Sequence, residues 1–472
     1  MNTLYNCGVK GKLYRLWYEL YKDSQIKVKT AGGMTDIKPT GENVTQGSIG
    51  GAILSSANLD NTLGAYFGGS DSELSYGDRR LRPITFQDDT SRLVGSLEDA
   101  QRGNVIMEAA MKRMQLDLNV SKCSVIVFGK KKRVETIRNQ INNQKKLKIG
   151  EKIIEAKQKD DYLGDTIHEE GLEKSAEATI MKRYGRTLSS IIEVSAILDD
   201  FRIDTVGGLK AGLDIFELAL LPSVLNNSEI WLELGKTSIQ KLDNIQNMMY
   251  RNLFGVPAAT PTRLLRFDLC GLTMEERIHK KKLSFLHHLT TLRESESLAG
   301  DIFQLQAKYE FPGLVTECKL LMNYYNLPNI IDESVQFSKQ QWKQMLKTEI
   351  NKKSQENIKK EFANYSKLKN KDFETEQLKV KDYILNMKLR DARTYFRMRT
   401  NMLNTKMNRK HDPNYAMKLW KCDECMSMDS QAHIIWCPAY APLREGKDLK
   451  NDLDLVHYYQ QVMKIREDSN TT

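Results

Sequence analysis

The adjacent carboxylates of Asp88 and Asp89 are the first feature of this sequence suited to chemistry. Carboxylates held side by side repel each other unless a cation lies between them, so the pair is suited to hold Mg²⁺ for phosphoryl transfer. Apolar runs on either side predict a hairpin whose tight turn contains the pair. The alternative is a solvated Asp-Asp turn, which is the commoner case for the dipeptide taken alone. The apolar runs contain Leu81, Ile84 and Phe86 before the pair, and Leu93 and Val94 after it.

A second chemical pattern lies in the last sixty residues. Cys422, Cys425, His433 and Cys437 have the spacing Cys-x2-Cys-x7-His-x3-Cys, so three thiolates and one imidazole can close tetrahedrally on a zinc ion. Four protein ligands leave no open position, so the sequence predicts a structural Zn²⁺ site. The alternative is a chance grouping of buried cysteines. The other cysteines are dispersed along the chain, as in a reducing compartment, and this favours zinc.

Two tryptophans, Trp420 and Trp436, flank the cysteine and histidine pattern. A flat aromatic face beside a nucleic-acid-binding element is suited to stack on bases. The alternative is that both indoles pack the small core around the metal. The sequence leaves both roles open.

Local patterns predict the elements that position these groups. Apolar residues recur at helical spacing over residues 13–21 and predict an amphipathic helix. Ser96, followed three positions later by Asp99, resembles a capping box and predicts the start of a helix that reaches Met114. These helices would flank the carboxylate hairpin.

A strand is predicted over residues 124–128, closed by Gly129. The basic run Lys130-Lys131-Lys132-Arg133 follows it directly. This run resembles a nuclear localisation signal, but a solvated hairpin turn at the end of the strand is the expected role.

A long lysine-rich region without Pro or Gly, residues 339–409, predicts helices. Within it Arg390, Arg393 and Arg397 fall on one helical stripe. The stripe is either a face that follows nucleic-acid phosphates or an ordinary solvated helix face. The sequence favours neither interpretation over the other.

Composition limits the class of protein. The chain has 472 residues, enough for about three domains. Its formal net charge of +10 and pI near 9.0 favour a polyanionic partner. No apolar run approaches the length of a membrane span, and the scattered cysteines fit an intracellular protein of the nucleus or cytoplasm.

The order of four motifs resembles the later motifs of reverse transcriptases, most closely those of non-LTR (LINE-type) retrotransposons. Residues 227–231, after Leu220-Leu221-Pro222, are similar to that family's helical thumb, and a Cys-Cys-His-Cys element commonly follows the reverse transcriptase in these transposons. The resemblance covers about residues 13–440. It implies RNA-directed DNA synthesis with an RNA template, a DNA primer, deoxynucleotides and two Mg²⁺ ions. The four motifs are Gln46-Gly47 before a small-residue helix, Phe86-Gln87-Asp88-Asp89, Asn119-Val120-Ser121-Lys122 before a strand, and Tyr162-Leu163-Gly164.

The resemblance also implies roles for single residues. Asp88 would bind the catalytic Mg²⁺ ions, and Asp89 would support that site electrostatically. Lys122 would approach the incoming triphosphate, where negative charge develops. The nucleotide and template pocket would be lined by Gln46, Gly47 and Phe86, and the primer-grip turn would consist of Tyr162, Leu163 and Gly164. Gln87 is a departure, since the family usually has a small residue there.

One carboxylate expected from the family is missing. In these polymerases a further Asp, upstream of the segment matched by residues 13–21, completes the metal site. No Asp or Glu precedes Leu13 here, and no fingers region is matched. Two carboxylates without the bridging one should bind metal weakly and in poor geometry. The expectation is that this chain alone does not polymerise DNA.

The sequence therefore predicts a mixed α+β chain. The predicted function is that of a reverse transcriptase fragment, inactive alone. The alternatives are a non-catalytic RNA- or DNA-binding remnant of such an element and a reading frame that is never translated. The predicted parts are a partial polymerase palm, an antiparallel sheet with helices, at 1–158, a thumb-like helical region at 159–256, a helical basic connector at 257–415, a zinc knuckle at 416–442 and a tail at 443–472.

Overall fold

Helices make up most of the chain in the computed structural model. Two compact units divide it: the first contains Met1–Asp160 and His168–Glu170, and the second contains Asp161–Ile167 and Gly171–Thr472. Among the described residues, no helix is both long and apolar enough to cross a membrane. The structure describes residues 2–6, 8–22, 25–39, 49–68, 74–76, 79–199, 204–258, 260–293, 297–363, 379–409 and 420–469.

In the part of the chain that the structure describes, every strand lies before residue 169, and the strands occur only in pairs. Strands β9 and β12 are parallel, whereas β1–β4, β2–β3, β5–β6, β7–β8 and β10–β11 are antiparallel; β13 pairs with β14. The helices are α1 (Asn2–Asn6), α2 (Gly11–Tyr21), α3 (Ile49–Phe67), α4 (Leu97–Arg113) and α5 (Lys131–Gln144), with a 3₁₀ turn at Val120–Lys122. The strands are β1 (Gln25–Ile26), β2 (Lys29–Thr30), β3 (Gly33–Met34), β4 (Lys38–Pro39), β5 (Ser75–Tyr76), β6 (Arg79–Arg80), β7 (Ile84–Phe86), β8 (Asp89–Ser91), β9 (Ser124–Val125), β10 (Lys148–Ile149), β11 (Lys152–Ile153), β12 (Glu155–Ala156), β13 (Lys159–Tyr162) and β14 (Asp165–His168).

The predicted mixed fold is confirmed only in its coarse form, a mostly helical chain with small two-stranded sheets and a cysteine and histidine cluster. The larger antiparallel sheet that a palm implies does not occur in the part that the structure describes. Each strand has only two to four residues and therefore makes few ladder hydrogen bonds.

Local signals explain where the helices of the first unit begin. Ser96 caps α4 as predicted: its hydroxyl accepts from the Asp99 N–H at 3.0 Å, and Asp99 lies in the negatively charged first turn. The hairpin turn expected at residues 130–133 is wrong, because residues 131–133 form the first turn of α5. The strand predicted over residues 124–128 is confirmed only for Ser124–Val125.

Two hydrophobic clusters hold the first unit together. One lies between α3 and α4 and includes Leu63, Phe67 and Met111. The other lies between α5 and the β9–β12 pair and includes Ile141 and Ile154. The strand β9, the helix α5 and the parallel strand β12 therefore form a small β-α-β unit.

The second unit is helical and has three hydrophobic clusters. The first packs α6 and α9 with α7, α10 and α16, and the second packs α11 to α14 around Trp342. The helices are α6 (Leu172–Asp199), α7 (Gly208–Ile215), α8 (Leu221–Val224), α9 (Lys236–Phe254), α10 (Thr262–Leu269), α11 (Met274–Thr291), α12 (Leu298–Tyr309), α13 (Leu314–Tyr324), α14 (Lys339–Ala363), α15 (Asp382–Asn386), α16 (Leu389–Arg399), α17 (Gln431–Trp436) and α18 (Asp452–Ser469). A π-helical turn occupies Phe216–Leu220, and 3₁₀ turns occupy Ser228–Ile230, Lys406–Arg409 and Pro438–Arg444.

The third cluster joins the cysteine and histidine element to α18. It contains Cys422 and Cys437 together with Tyr458, Tyr459 and Val462 of α18. The segment predicted as a tail at 443–472 is therefore largely a helix that packs on the cysteine and histidine element. The sequence shows no continuous apolar run here, because the buried residues of α18 are interspersed with polar ones.

His279 on α11 is expected to make the second unit sensitive to acid. Burial lowers the pKa of His279 from 6.5 to about 4, and its Nδ1 lies 3.0 Å from the Tyr325 hydroxyl oxygen. The unfolded chain binds the proton near pH 6.5 but the folded chain only near pH 4. The free energy of unfolding should therefore fall by about 3 kcal/mol as the pH drops through this window.

The measurement is the urea midpoint of unfolding between pH 7 and pH 4. His279→Gln should flatten its pH dependence, whereas His288→Gln, which is exposed on the same helix, should not. Equal pH dependence in His279→Gln and the original chain would contradict the prediction.

Candidate metal centre

A tight turn presents the first two cysteines of the cluster. Lys421 and Met428 form an isolated antiparallel bridge, and the Cys422 N–H donates to the Ser427 carbonyl at 2.8 Å. Met426 adopts the left-handed conformation, with φ of 59°, and its N–H donates to the Cys422 carbonyl at 3.0 Å. The chain thus reverses directly after Cys425, which places the Cys422 and Cys425 thiols on the same side of the turn.

The short helix α17 presents the other two residues of the cluster. Ser430 caps it, because the Ser430 hydroxyl accepts from the His433 N–H at 3.1 Å. The Cys437 N–H donates to the His433 carbonyl at 2.8 Å, so the two side chains lie one helical turn apart on one face. The four-residue spacing in the sequence therefore has a helical cause.

The four side chains meet at distances that suit a tetrahedral metal. The Cys437 Sγ lies 3.9 Å from the Cys422 Sγ and 3.8 Å from the Cys425 Sγ, and the Cys425 Sγ lies 3.3 Å from the His433 Nε2. All four ligand atoms lie within 4.8 Å of one another. A zinc–sulfur bond of about 2.3 Å gives sulfur–sulfur edges of about 3.8 Å in a tetrahedron. The predicted cluster is confirmed, and its donor set fits Zn²⁺.

Burial and hydrogen bonding affect the thiols differently. Desolvation raises the pKa of Cys437 to about 11. Hydrogen bonds from Ser427 lower the pKa of Cys425. A divalent cation among these thiols would favour their ionised forms, since a thiolate is the form that binds metal.

Side chains far along the sequence hold the cluster in place. The buried carboxylate of Asp429 accepts two hydrogen bonds from Arg466 at 2.8 and 3.1 Å, and a third from the Lys406 N–H at 2.7 Å. On α18, the Tyr458 hydroxyl donates to the Ile434 carbonyl at 2.7 Å, which ties α17 to the last helix. Sequence spacing did not reveal these contacts, because nothing in the pattern pairs Asp429 with a residue 37 positions later.

The two flanking tryptophans differ in environment. Trp436 is 78% exposed beside Cys437, so it does not pack the core around the cluster. Trp420 is half-buried, and its indole nitrogen is buried without a hydrogen-bond partner. Of the two predicted roles, packing therefore fits only Trp420.

The two aspartates lie in the predicted hairpin, but not both in its turn. Phe86 pairs with Asp89, so Gln87 and Asp88 form the two-residue turn and Asp89 begins the second strand. Gln87 supplies the positive φ of 57° that such a turn needs. The second strand is Asp89–Ser91, not the segment with Leu93 and Val94, because a two-residue turn pairs the residues directly beside it.

The hairpin does not hold a complete metal site in the described residues. Both aspartates are exposed, and no grouping there of three or more metal-type ligands includes Asp88 or Asp89. Phe86 is also exposed, and no hydrogen bond or ion pair joins the exposed Lys122 to either aspartate. Gln46 and Gly47 lie outside the described residues.

The turn predicted to grip a primer is the end of a hairpin that Arg183 contacts. Leu163 and Gly164 have φ angles of 48° and 85°, and Tyr162 ends the preceding strand. Arg183 on α6 donates to the Gly164 carbonyl at 2.9 Å and to the Asp165 carboxylate at 3.0 Å. Burial lowers the pKa of Arg183, and the Asp165 charge opposes that change. Nothing in the motif itself predicted this support.

The three arginines of the predicted stripe have defined protein partners. Arg393 donates to the Leu253 carbonyl at 2.8 Å and to the Asn252 carbonyl at 3.0 Å, and Arg397 donates to the Gly255 carbonyl. These carbonyls lie at the C-terminal end of α9, where a positive charge is stabilising. The Arg390 N–H donates to the Asp204 carboxylate at 3.0 Å, and the Arg390 side chain is half-exposed. Phosphate binding by the stripe stays a prediction.

Comparison with known proteins does not assign the chain to a family. The sequence matches no protein-family model, and no curated protein matches it. The geometry defines a mostly helical chain with small two-stranded sheets and a cluster of Cys422, Cys425, His433 and Cys437 that could hold Zn²⁺.

Proposed function

We propose that this chain is part of a non-LTR (LINE-type) reverse transcriptase, that it binds RNA or DNA, and that it does not synthesise DNA by itself. The observation that supports the polymerase relationship is the hairpin of Ile84–Phe86 and Asp89–Ser91, which presents Asp88 and Asp89 side by side at an exposed end. The hairpin supports this relationship because it occurs within the order of motifs that resembles a reverse transcriptase.

The residues present explain why polymerisation is not expected from the chain alone. When bound, Mg²⁺ would supply charge neutralisation for phosphoryl transfer. Asp88 and Asp89 provide two exposed carboxylates, and no third acidic ligand accompanies them among the described residues. Such a pair does not fit a complete two-metal site, so no catalytic step is assigned to it.

The C-terminal cluster has a structural role in this proposal. Cys422, Cys425, His433 and Cys437 would hold one Zn²⁺ ion with four protein ligands, which leaves no position for a substrate. The ion would fix α17 against the turn that carries Cys422 and Cys425, and α18 packs on the element so formed. RNA template and DNA primer remain the proposed partners, in keeping with the net charge of +10.

Primer extension tests the proposal. The full chain is incubated with Mg²⁺, deoxynucleotides and a DNA primer on an RNA template, beside Asp88→Ala and the matched variant Asp117→Ala, which removes another exposed aspartate. The expected result is no extension by any of the three. Extension by the original chain and by Asp117→Ala, but not by Asp88→Ala, would show a complete active site and overturn the proposal of inactivity.

A non-catalytic RNA- or DNA-binding protein is the second candidate function. The preformed cysteine and histidine cluster favours it, since this element needs no polymerase site for its structure. Both candidates predict binding of RNA without extension by this chain. Extension after addition of a separately produced fingers and palm segment from a non-LTR reverse transcriptase would favour the first.

A further inference from the structure

Four consecutive basic side chains at the start of α5, and a fifth just after β12, have no acidic partner among the described residues. We name Lys130, Lys131, Lys132, Arg133 and Lys159 the basic edge. All five are exposed, and no described carboxylate forms an ion pair with any of them. Neighbouring basic residues are paired by contrast: Arg138 bonds the Glu169 carboxylate and Lys157 bonds Asp160 at 3.0 Å.

The β-α-β unit brings the basic edge to one end of a small sheet. Because β9 and β12 are parallel, their carboxyl ends lie together, and the Lys157 N–H donates to the Val125 carbonyl at 2.8 Å. Helix α5 begins just beyond β9, and Lys159 follows β12. The Glu169 N–H donates to the Gln158 carbonyl at 2.8 Å, and the Glu169 carboxylate bonds Arg138 on α5. The middle of α5, at Arg138, therefore lies near Gln158, and the Asn142 side chain in its last turn bonds the Ala156 backbone.

The position of these charges is unfavourable for the helix itself. The N-terminal end of a helix carries a partial positive charge, and acidic residues usually occupy its first turn. In α5 the first turn contains Lys131, Lys132 and Arg133 and no acidic residue, and no side chain caps the helix. The first turn of α5 thus carries a concentrated positive charge, which is suited to bind an external anion.

An aromatic side chain lies at the same end of the unit. Phe128 is 55% exposed and directly precedes Gly129 and the basic edge. Proteins that bind single-stranded nucleic acids combine cations for the phosphates with aromatic faces on which bases stack. A duplex hides its base faces and would leave Phe128 without such a contact.

We propose that the basic edge and Phe128 bind single-stranded nucleic acid, with the cations on the phosphates and Phe128 stacked on a base. This inference rests on the nucleic-acid-binding part of the proposed function but not on polymerase activity. It also gives residues 130–133 a role that neither a hairpin turn nor a localisation signal requires.

The test is binding of the full chain to a fluorescent single-stranded oligonucleotide over a series of salt concentrations. The charge variant replaces Lys130, Lys131, Lys132 and Arg133 by alanine. The slope of log K against log salt concentration should become shallower by about 3, since each lost single-strand phosphate contact contributes about 0.7. Phe128→Ala should weaken binding about tenfold and leave the slope unchanged.

The same unit offers a matched control. Replacing Lys145, Lys146, Lys148 and Lys152 by alanine removes four charges near the other end of α5, about 20 Å away, and should not change the slope. Alanine favours helix, so the helix content of the charge variant, measured by circular dichroism, should be preserved.

Four results would overturn the inference. Equal loss of slope in both four-charge variants would mean that binding follows total charge and not the basic edge. Binding to phosphatidylserine vesicles but not to the oligonucleotide would assign the surface to a membrane. Unchanged oligonucleotide binding by the charge variant would refute the inference alone, whereas no binding by the original chain would also refute the proposed nucleic-acid binding.

Discussion

Replacing Cys437 by serine is expected to release a bound zinc ion and to unfold the region of α17 and α18. Cys437 is fully buried in the third hydrophobic cluster, and its sulfur lies within 4 Å of two other ligand sulfurs. Structural zinc sites supply about 10 kcal/mol or more of binding free energy, which becomes folding free energy for the element that they hold. The expected destabilisation of this region is therefore several kcal/mol.

Metal content and hydrogen exchange measure this effect. The original chain should contain one zinc ion and show slow amide exchange in α17 and α18, and Cys437→Ser should contain none and exchange rapidly there. Cys123→Ser is the matched control, because Cys123 is half-buried and outside the cluster. A chain that folds fully and binds no zinc after expression with ample zinc would contradict the prediction.

Replacing Asp268 by alanine is expected to destabilise the second unit by about 3 to 5 kcal/mol. The Asp268 side chain is 1% exposed and accepts from the Arg399 Nε at 3.2 Å and from the Tyr383 hydroxyl at 2.8 Å. These contacts join α10 to α15 and α16. Burial raises the pKa of Asp268, and the charge of Arg399 opposes that change. Without the carboxylate, the mostly buried guanidinium of Arg399 loses its ion pair with Asp268.

Urea unfolding followed by circular dichroism measures the change. The control is Asp382→Ala, since the 72% exposed side chain of Asp382 lies 3.4 Å from Lys379 and such surface pairs contribute at most about 1 kcal/mol. Combining Asp268→Leu with Arg399→Met should cost less than Asp268→Ala, because no unpaired charge stays buried. Similar midpoints for Asp268→Ala and Asp382→Ala would refute the assigned role.

Signals that act within one turn of the chain were predictable from the sequence. The Ser96 cap of α4, the hairpin beside Asp88 and the four-residue spacing of His433 and Cys437 all depend on backbone geometry over three or four residues. The cysteine and histidine cluster could be recognised for the same reason. One local turn carries Cys422 and Cys425, and one short helix presents His433 and Cys437.

Contacts between distant segments were not predictable in this way. The stripe of Arg390, Arg393 and Arg397 has the spacing of a phosphate-binding face, yet two of its members bond carbonyls at the end of a helix about 140 residues earlier. Every residue supplies a backbone carbonyl, so carbonyl partners cannot be recognised in a sequence. The spacing of the arginines therefore does not show whether they bind carbonyls or phosphates. The support of Gly164 by Arg183 was hidden for the same reason.

The packing of α18 on the cysteine and histidine element has a genetic consequence. Tyr458 and Tyr459 donate to carbonyls of α17, and Arg466 bonds the buried Asp429. A stop codon at position 453 would spare all four ligand codons but remove Tyr458, Tyr459 and Arg466. Late stop codons in this reading frame should therefore resemble missense changes of the cysteines in their effect on protein abundance.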